Sequence, residues 1–183
     1  YQYMLKGCPL DKTNDVLNLF TETALEIGEG QQYDIEFETR NDVREEEYIE
    51  MIRLKTSVLL ACALKIGAIL ADAPMEQADL LYRFGENLGL AFQLQDDYLD
   101  VYGDPAVFGK KIGGDICCNK KTFLMITALQ LANEEQRNEL MKWMRCNDPA
   151  CFEDKVAAVL TIYKDLQIDI RCEEAIHNYF EKS

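Results

Sequence analysis

The sequence predicts an all-α protein, and three observations carry that reading. Apolar residues recur at helical spacing along most of the chain, while alternating strand patterns are scarce. Several of the helical stretches are too apolar to be surface helices, which makes them members of a packed bundle. No Gly-rich turn follows a strand-like run, which excludes a doubly wound nucleotide-binding fold.

The elements follow in order. Asp11 to Asp15 supply capping residues ahead of a helix over residues 16–27, which Gly28 and Gly30 are expected to end or loosen. Residues 39–44 read as a polar loop. Residues 45–73 read as one long helix stopped by Pro74. Its apolar run over 58–70 is broken by Lys65 and Gly67 and is too short to span a membrane. A second long helix over 78–101 is closed by Gly103-Asp104-Pro105, and a loop rich in Gly and Lys continues to about Asn119. Helices over 122–132, 134–145, 149–166 and 173–181 complete the series. No repeat or composition break divides it, so residues 1–183 form part of one domain.

Composition removes several function classes. The chain carries 33 acidic and 19 basic residues, a formal net charge of −14, which argues against nucleic acid or an anionic membrane as partner. Seven cysteines form an odd set without a CxxC pair, which reads as free thiols in a reducing, cytoplasmic compartment. Cys117-Cys118 remains open as a redox pair. His177 is the one histidine, so His-based zinc sites and Ser/Cys–His dyads are nearly excluded. The chain opens in apolar helical sequence without an initiator methionine, a basic leader or a cleavage signal, and we expect further chain upstream of Tyr1.

The informative segment is LGLAFQLQDDYLDV, over 88–101. On a helical wheel Gln93, Asp96, Asp97 and Asp100 share one arc about 100° wide, and the rest of the circumference is apolar. Carboxylates ~6 Å apart repel by roughly 0.7 kcal/mol in water and about 3 kcal/mol at an effective dielectric near 20. Asp is also a poor helix former. A solvated acidic face is the plain alternative, but so narrow a stripe on an apolar helix suits an internal cleft. Carboxylates without His or Cys suit a hard ion, and a few carboxylates with waters and substrate phosphate suit Mg²⁺.

Lys110, Lys111, Lys120 and Lys121 then fall close together, with Gly109, Gly113 and Gly114 among them. Such a loop can turn tightly and offer ammonium groups to a diphosphate held by Mg²⁺. It is not a P-loop, because no strand precedes it and the residue order differs. Lys55-Thr56 lies at the mouth of the most apolar helix, where a charge either snorkels to solvent or meets an anion.

These residues resemble the trans-isoprenyl diphosphate synthases of the polyprenyl synthetase family. Phe92-Gln93-Leu94-Gln95-Asp96-Asp97-Tyr98-Leu99-Asp100 is similar to that family's second aspartate-rich motif. Gly103-Asp104, Gly109-Lys110, Gly113, Asp115-Ile116 and Asn119-Lys120 continue it in order, and Gly30-Gln31, Asp34, Tyr48 and Lys55-Thr56 match upstream landmarks. The resemblance implies an isoprenoid-synthase-type bundle of long helices around a central cavity. It implies a 1′-4 head-to-tail condensation of an allylic diphosphate with isopentenyl diphosphate. Asp96, Asp97 and Asp100 would then serve Mg²⁺ (Mn²⁺ a substitute), with Asp96 the surest direct ligand. Lys55, Lys110 and Lys120 would bind the allylic diphosphate, Thr56 and Gln93 would lie near the carbocation, and Phe92 near the homoallylic substrate. A homodimer is implied as well.

The chain departs from the family in one respect. It holds one Asp-Asp-x-x-Asp stretch and no adjacent arginine pair, where the family carries a first aspartate-rich motif followed by two arginines. The expectation is the C-terminal portion of a longer synthase, N-terminally incomplete and inactive alone. A terpene cyclase and a non-catalytic regulatory subunit stay as alternatives.

Overall fold

The computed structural model describes residues 2–109 and 112–183. Helix α1 (Gln2–Gly7) precedes α2 (Thr13–Thr39) and α3 (Glu45–Ile52), which runs through a π-helical turn (Arg53–Ser57) into α4 (Val58–Leu70). Helix α5 (Met75–Tyr102) is the longest, and the short α6 (Pro105–Phe108) and α7 (Gly114–Cys117) lie in the loop behind it. Helices α8 (Phe123–Leu131), α9 (Glu134–Met144), α10 (Phe152–Asp165) and α11 (Ile168–Lys182) follow, with a 3₁₀ turn (Pro149–Cys151) ahead of α10. No strand occurs among the described residues. The fold is the all-α bundle that the sequence predicts.

Local chemistry sets the boundaries. The Asp104 and Asp148 side chains cap the turns that begin at Pro105 and Pro149. Thr122 accepts the Met125 N–H at the start of α8, and Asn133 forms a capping box with Gln136 at the start of α9. The break between α10 and α11 falls at Gln167, in the left-handed region at φ 54°, so α11 begins at Ile168 rather than near residue 173.

Two other expectations are corrected. Gly28 and Gly30 do not end the first long helix, which continues to Thr39. A Cβ on Gly30 would lie 2.5 Å from the Lys55 backbone nitrogen, so Gly30 serves a close approach of two helices. The stretch from Glu45 to Leu70 is helical throughout its length, but the π turn interrupts its α-helical register.

The main core joins α3, α5, α8, α9, α10 and α11. Leu94, Leu124, Leu140, Val159 and Ile168 are shut off from solvent there, and each such side chain contributes about 1.5–3 kcal/mol. Helix α8 is buried on every side from Phe123 to Leu129, which makes it the central helix. A smaller cluster of Val16, Ala68, Ile69 and Ala78 ties α2 to α4 and to the start of α5. No helix among the described residues is long and apolar enough to cross a membrane.

Candidate active site

A cavity of about 360 Å³ opens between α2, the π turn, α5 and the loop that leads into α8. Five carboxylates (Asp34, Glu38, Asp96, Asp97 and Asp115) and three ammonium groups (Lys55, Lys120 and Lys121) belong to its wall. Phe37, Met51 and Ile52 supply the apolar part of the lining.

The π turn places Lys55 and Thr56. It is held from two sides by glycines: Gly30 on α2 meets Lys55, and a Cβ on Gly89 of α5 would lie 2.6 Å from the Ser57 Cα. The Lys55 Nζ stands 2.6 Å from the Asp34 carboxylate, and the Thr56 hydroxyl donates to Gln93 Oε1 at 3.2 Å. Lys55 is therefore paired at the cavity mouth, while Thr56 is coupled to the acidic stripe through Gln93.

The stripe divides into three environments. Asp96 is exposed on the cavity wall and makes no hydrogen bond or ion pair among the described residues. Asp97 is 4% exposed and accepts from the Tyr48 hydroxyl and, at 3.5 Å, from the Gln93 side-chain amide. Burial pushes its carboxyl up to about 7, against the opposing pull of the Tyr48 bond. Asp100 accepts the Asp115 backbone N–H at 2.9 Å and so anchors the loop, and burial raises its carboxyl too.

Among the described residues no three Asp, Glu, His or Cys side chains converge on a point where they could hold an ion. The donor chemistry nevertheless fits a hard divalent cation. Asp96 offers an unpaired carboxylate to the cavity, with Asp97 and Asp115 behind it, and such a cation keeps most of its shell as water or substrate oxygen.

On the opposite wall, Lys120 Nζ lies 2.6 Å from Asp115 Oδ1, and that bond raises its ammonium above the ordinary value. Lys121 is 9% exposed and donates to the Glu38 and Asn119 carbonyls, while burial lowers its ammonium. Lys110 lies outside the described residues. Phe92 is 62% exposed and does not line the cavity.

The sequence marked Asp34, Tyr48 and Asp115 only as landmarks. Their roles come from contacts across the fold: Asp34 on Lys55, Tyr48 on Asp97, and Asp115 between Asp100 and Lys120. Lys121 was one of a basic group until its burial against Glu38 set it apart. The assembled arrangement can bind a polyanion together with a divalent cation, because it presents both signs of charge in one concavity.

Comparison with known proteins shows the family and the fold. Residues 1–163 match the polyprenyl synthetase family model. A short chain isoprenyl diphosphate synthase of Methanothermobacter thermautotrophicus is 36% identical over 164 residues, which cover 90% of this chain and 49% of that protein. A crystal structure of geranylgeranyl pyrophosphate synthase is similar at a TM-score of 0.91 and 42% identity, over 98% of this chain and 56% of that one. Another, from Corynebacterium glutamicum, complexed with isoprenyl diphosphate and magnesium, gives a TM-score of 0.86 at 28% identity, over 99% and 52% of the two chains. The chain thus spans about half the length of the relatives it matches.

Proposed function

The chain belongs to the polyprenyl synthetase family, and on that footing we propose that its cavity serves prenyl transfer. An allylic prenyl diphosphate is condensed 1′-4 with isopentenyl diphosphate, giving a longer prenyl diphosphate, diphosphate and a proton. The observation that carries this reading is the meeting of Asp96 with Lys55 and Lys120 around one cavity. The C. glutamicum relative in complex with isoprenyl diphosphate and magnesium supports it.

In this reading Asp96 holds Mg²⁺ through its free carboxylate, with Asp97 and Asp100 behind it as charge and scaffold. Bound there, Mg²⁺ shares the negative charge that develops on the leaving diphosphate. Lys55 and Lys120 neutralise the same diphosphate, a role that the family resemblance also gives to Lys110, which lies outside the described residues. Preorganised charges of this kind need no rearrangement as the C–O bond breaks. Thr56 and Gln93 hold an oxygen-lined edge beside the cation, and the apolar lining keeps water from capturing it. Phe92 serves the homoallylic partner on the exposed flank of α5.

We further propose that residues 1–183 supply the C-terminal part of the site and do not turn over alone, since the sequence lacks the family's first aspartate-rich motif and its arginine pair. A cytoplasmic location and a homodimer belong to the same reading, and seven cysteines without a CxxC pair suit a reducing compartment.

The test is transfer of labelled isopentenyl diphosphate onto allylic diphosphates of increasing length, with and without Mg²⁺, by a chain that joins residues 1–183 to an N-terminal half carrying the first aspartate-rich motif; residues 1–183 alone should give none. Mg²⁺-dependent chain extension supports the reading. Consumption of the allylic diphosphate without isopentenyl diphosphate would identify a cyclase. Activity that appears only when a separate active synthase is added would identify a regulatory subunit.

A further inference from the structure

Lys155 on α10 is the most deeply buried charge outside the cavity. It is 1% exposed, and no carboxylate pairs with it among the described residues. Its ammonium donates instead to three oxygens: Asn119 Oδ1 at 2.6 Å, the Cys146 carbonyl at 3.0 Å and the Cys117 carbonyl at 3.3 Å. An ammonium has three donors, so each N–H finds one acceptor. Such burial without a counter-ion is costly unless the ammonium organises something.

What it organises is the loop over 113–121. The loop begins at Gly113, φ 79°, where a Cβ would press on the Val156 side chain at 2.9 Å. It ends at Asn119, in the left-handed region at φ 58°, whose amide also donates to Asn147 at 2.8 Å. Adjacent residues of α10, Val156 and Lys155, therefore brace the two ends of the loop. Asp115 lies between Gly113 and Asn119 and Lys120 follows Asn119, and the two are joined by an ion pair and by the bond from the Lys120 N–H to the Asp115 carbonyl. Asp100 fixes the near end from α5. Among the described residues, Lys155 and Asn147 alone hydrogen-bond the Asn119 side chain.

The geometry points to Lys155 as a positioning residue for diphosphate binding: through Asn119 it holds Lys120 at the cavity wall. It touches no substrate itself, and the inference rests on the reading of the cavity as a diphosphate site.

The test compares Lys155→Met and Asn119→Gly in the protein, alone and combined with Lys120→Ala. Glycine accepts the backbone of Asn119 and removes only its side chain, so this variant carries the test if Lys155→Met fails to fold. Amide hydrogen exchange reads the loop, and calorimetry with inorganic diphosphate and Mg²⁺ reads the site. Each substitution should speed exchange across 113–121 and weaken diphosphate about tenfold. In the Lys120→Ala background the second substitution should cost no further affinity, because the loss already runs through Lys120. Faster exchange with unchanged affinity, or an equal loss in both backgrounds, would make Lys155 a structural residue and overturn the proposal. Failure of the unsubstituted protein to bind diphosphate would instead remove the reading of the cavity, and this inference with it.

Discussion

Asp96 and Asp100 stand one turn apart on α5, yet their carboxylates have different neighbours. Asp96 meets the cavity with no partner among the described residues, whereas Asp100 is engaged by the backbone of Asp115. In the chain completed with an N-terminal half, Asp96→Asn should therefore lower kcat/KM about 10²–10³-fold in the prenyl transfer assay, with little change in stability. Asp100→Asn should lower the urea stability by about 1 kcal/mol, with a smaller loss of activity. Equal kinetic losses would mean that the stripe acts as one metal cluster. A wheel places Asp96, Asp97 and Asp100 on one arc but says nothing of their partners, which are Tyr48 on α3 for Asp97 and the loop backbone at Asp115 for Asp100. A second residue, Glu47, gives a pH-dependent expectation. Hydrogen bonds from the Arg40 guanidinium and the Arg44 backbone hold its carboxyl at about 2, below its ordinary 4.5. A depressed carboxyl stabilises the fold above its unfolded pKa, and that stability is lost as pH falls through the folded value. The gap in thermal midpoint between the native chain and Glu47→Gln should hold from neutral pH to about 4.5 and close toward 2. The pair is partly open to solvent, so its worth is at most about 1 kcal/mol.

At the scale of elements, the long helix α5 was legible because it buries apolar residues such as Leu90, Leu94 and Val101 at helical spacing, whereas α2 was legible only to Ile27, since Gly28 and Gly30 read as its end. The π turn was not, since one extra residue in a continuous apolar helix leaves no mark on that period. Gly28 and Gly30 look alike in sequence, and only the packing separates them. A Cβ at Gly28 meets nothing within 4 Å, whereas one at Gly30 or Gly89 collides with backbone of the π turn. Gly28→Ala should accordingly stabilise the protein by up to about 1 kcal/mol in urea unfolding. Gly89→Ala should cost about 1–3 kcal/mol and displace Lys55 and Thr56 as well. Equal effects would mean that the π turn yields freely, and Lys55 would lose its fixed place. Lys155 left a readable trace, because Lys155, Val159 and Ile162 share the core face of α10. A lysine at such a position is either a snorkelling stem or a buried hub, and the decision needs the three oxygens that surround it.

For the whole molecule, a net charge of −14 repels a free diphosphate, while the cavity sets three ammonium groups against five carboxylates. Neither ion alone is complementary to such a site: a diphosphate meets Asp34, Glu38, Asp96, Asp97 and Asp115, and a cation meets Lys55, Lys120 and Lys121. The two together cancel each other's mismatch, so their effects on folding should exceed the sum of the parts. A ligand present at 100-fold its dissociation constant stabilises the folded state by about 2.7 kcal/mol. For a chain of this length that raises the thermal midpoint by roughly 5–10 °C. Mg²⁺ with inorganic diphosphate should produce a shift of that size, and either ion alone should give only a fraction of it. Salt by itself relieves the self-repulsion of so acidic a chain, so the comparison must be made at matched ionic strength. An equal shift with chloride would assign the effect to screening over the surface. A synergistic shift that disappears in Asp96→Asn and shrinks in Lys120→Ala would place both ions in the cavity, with the two walls acting as one site.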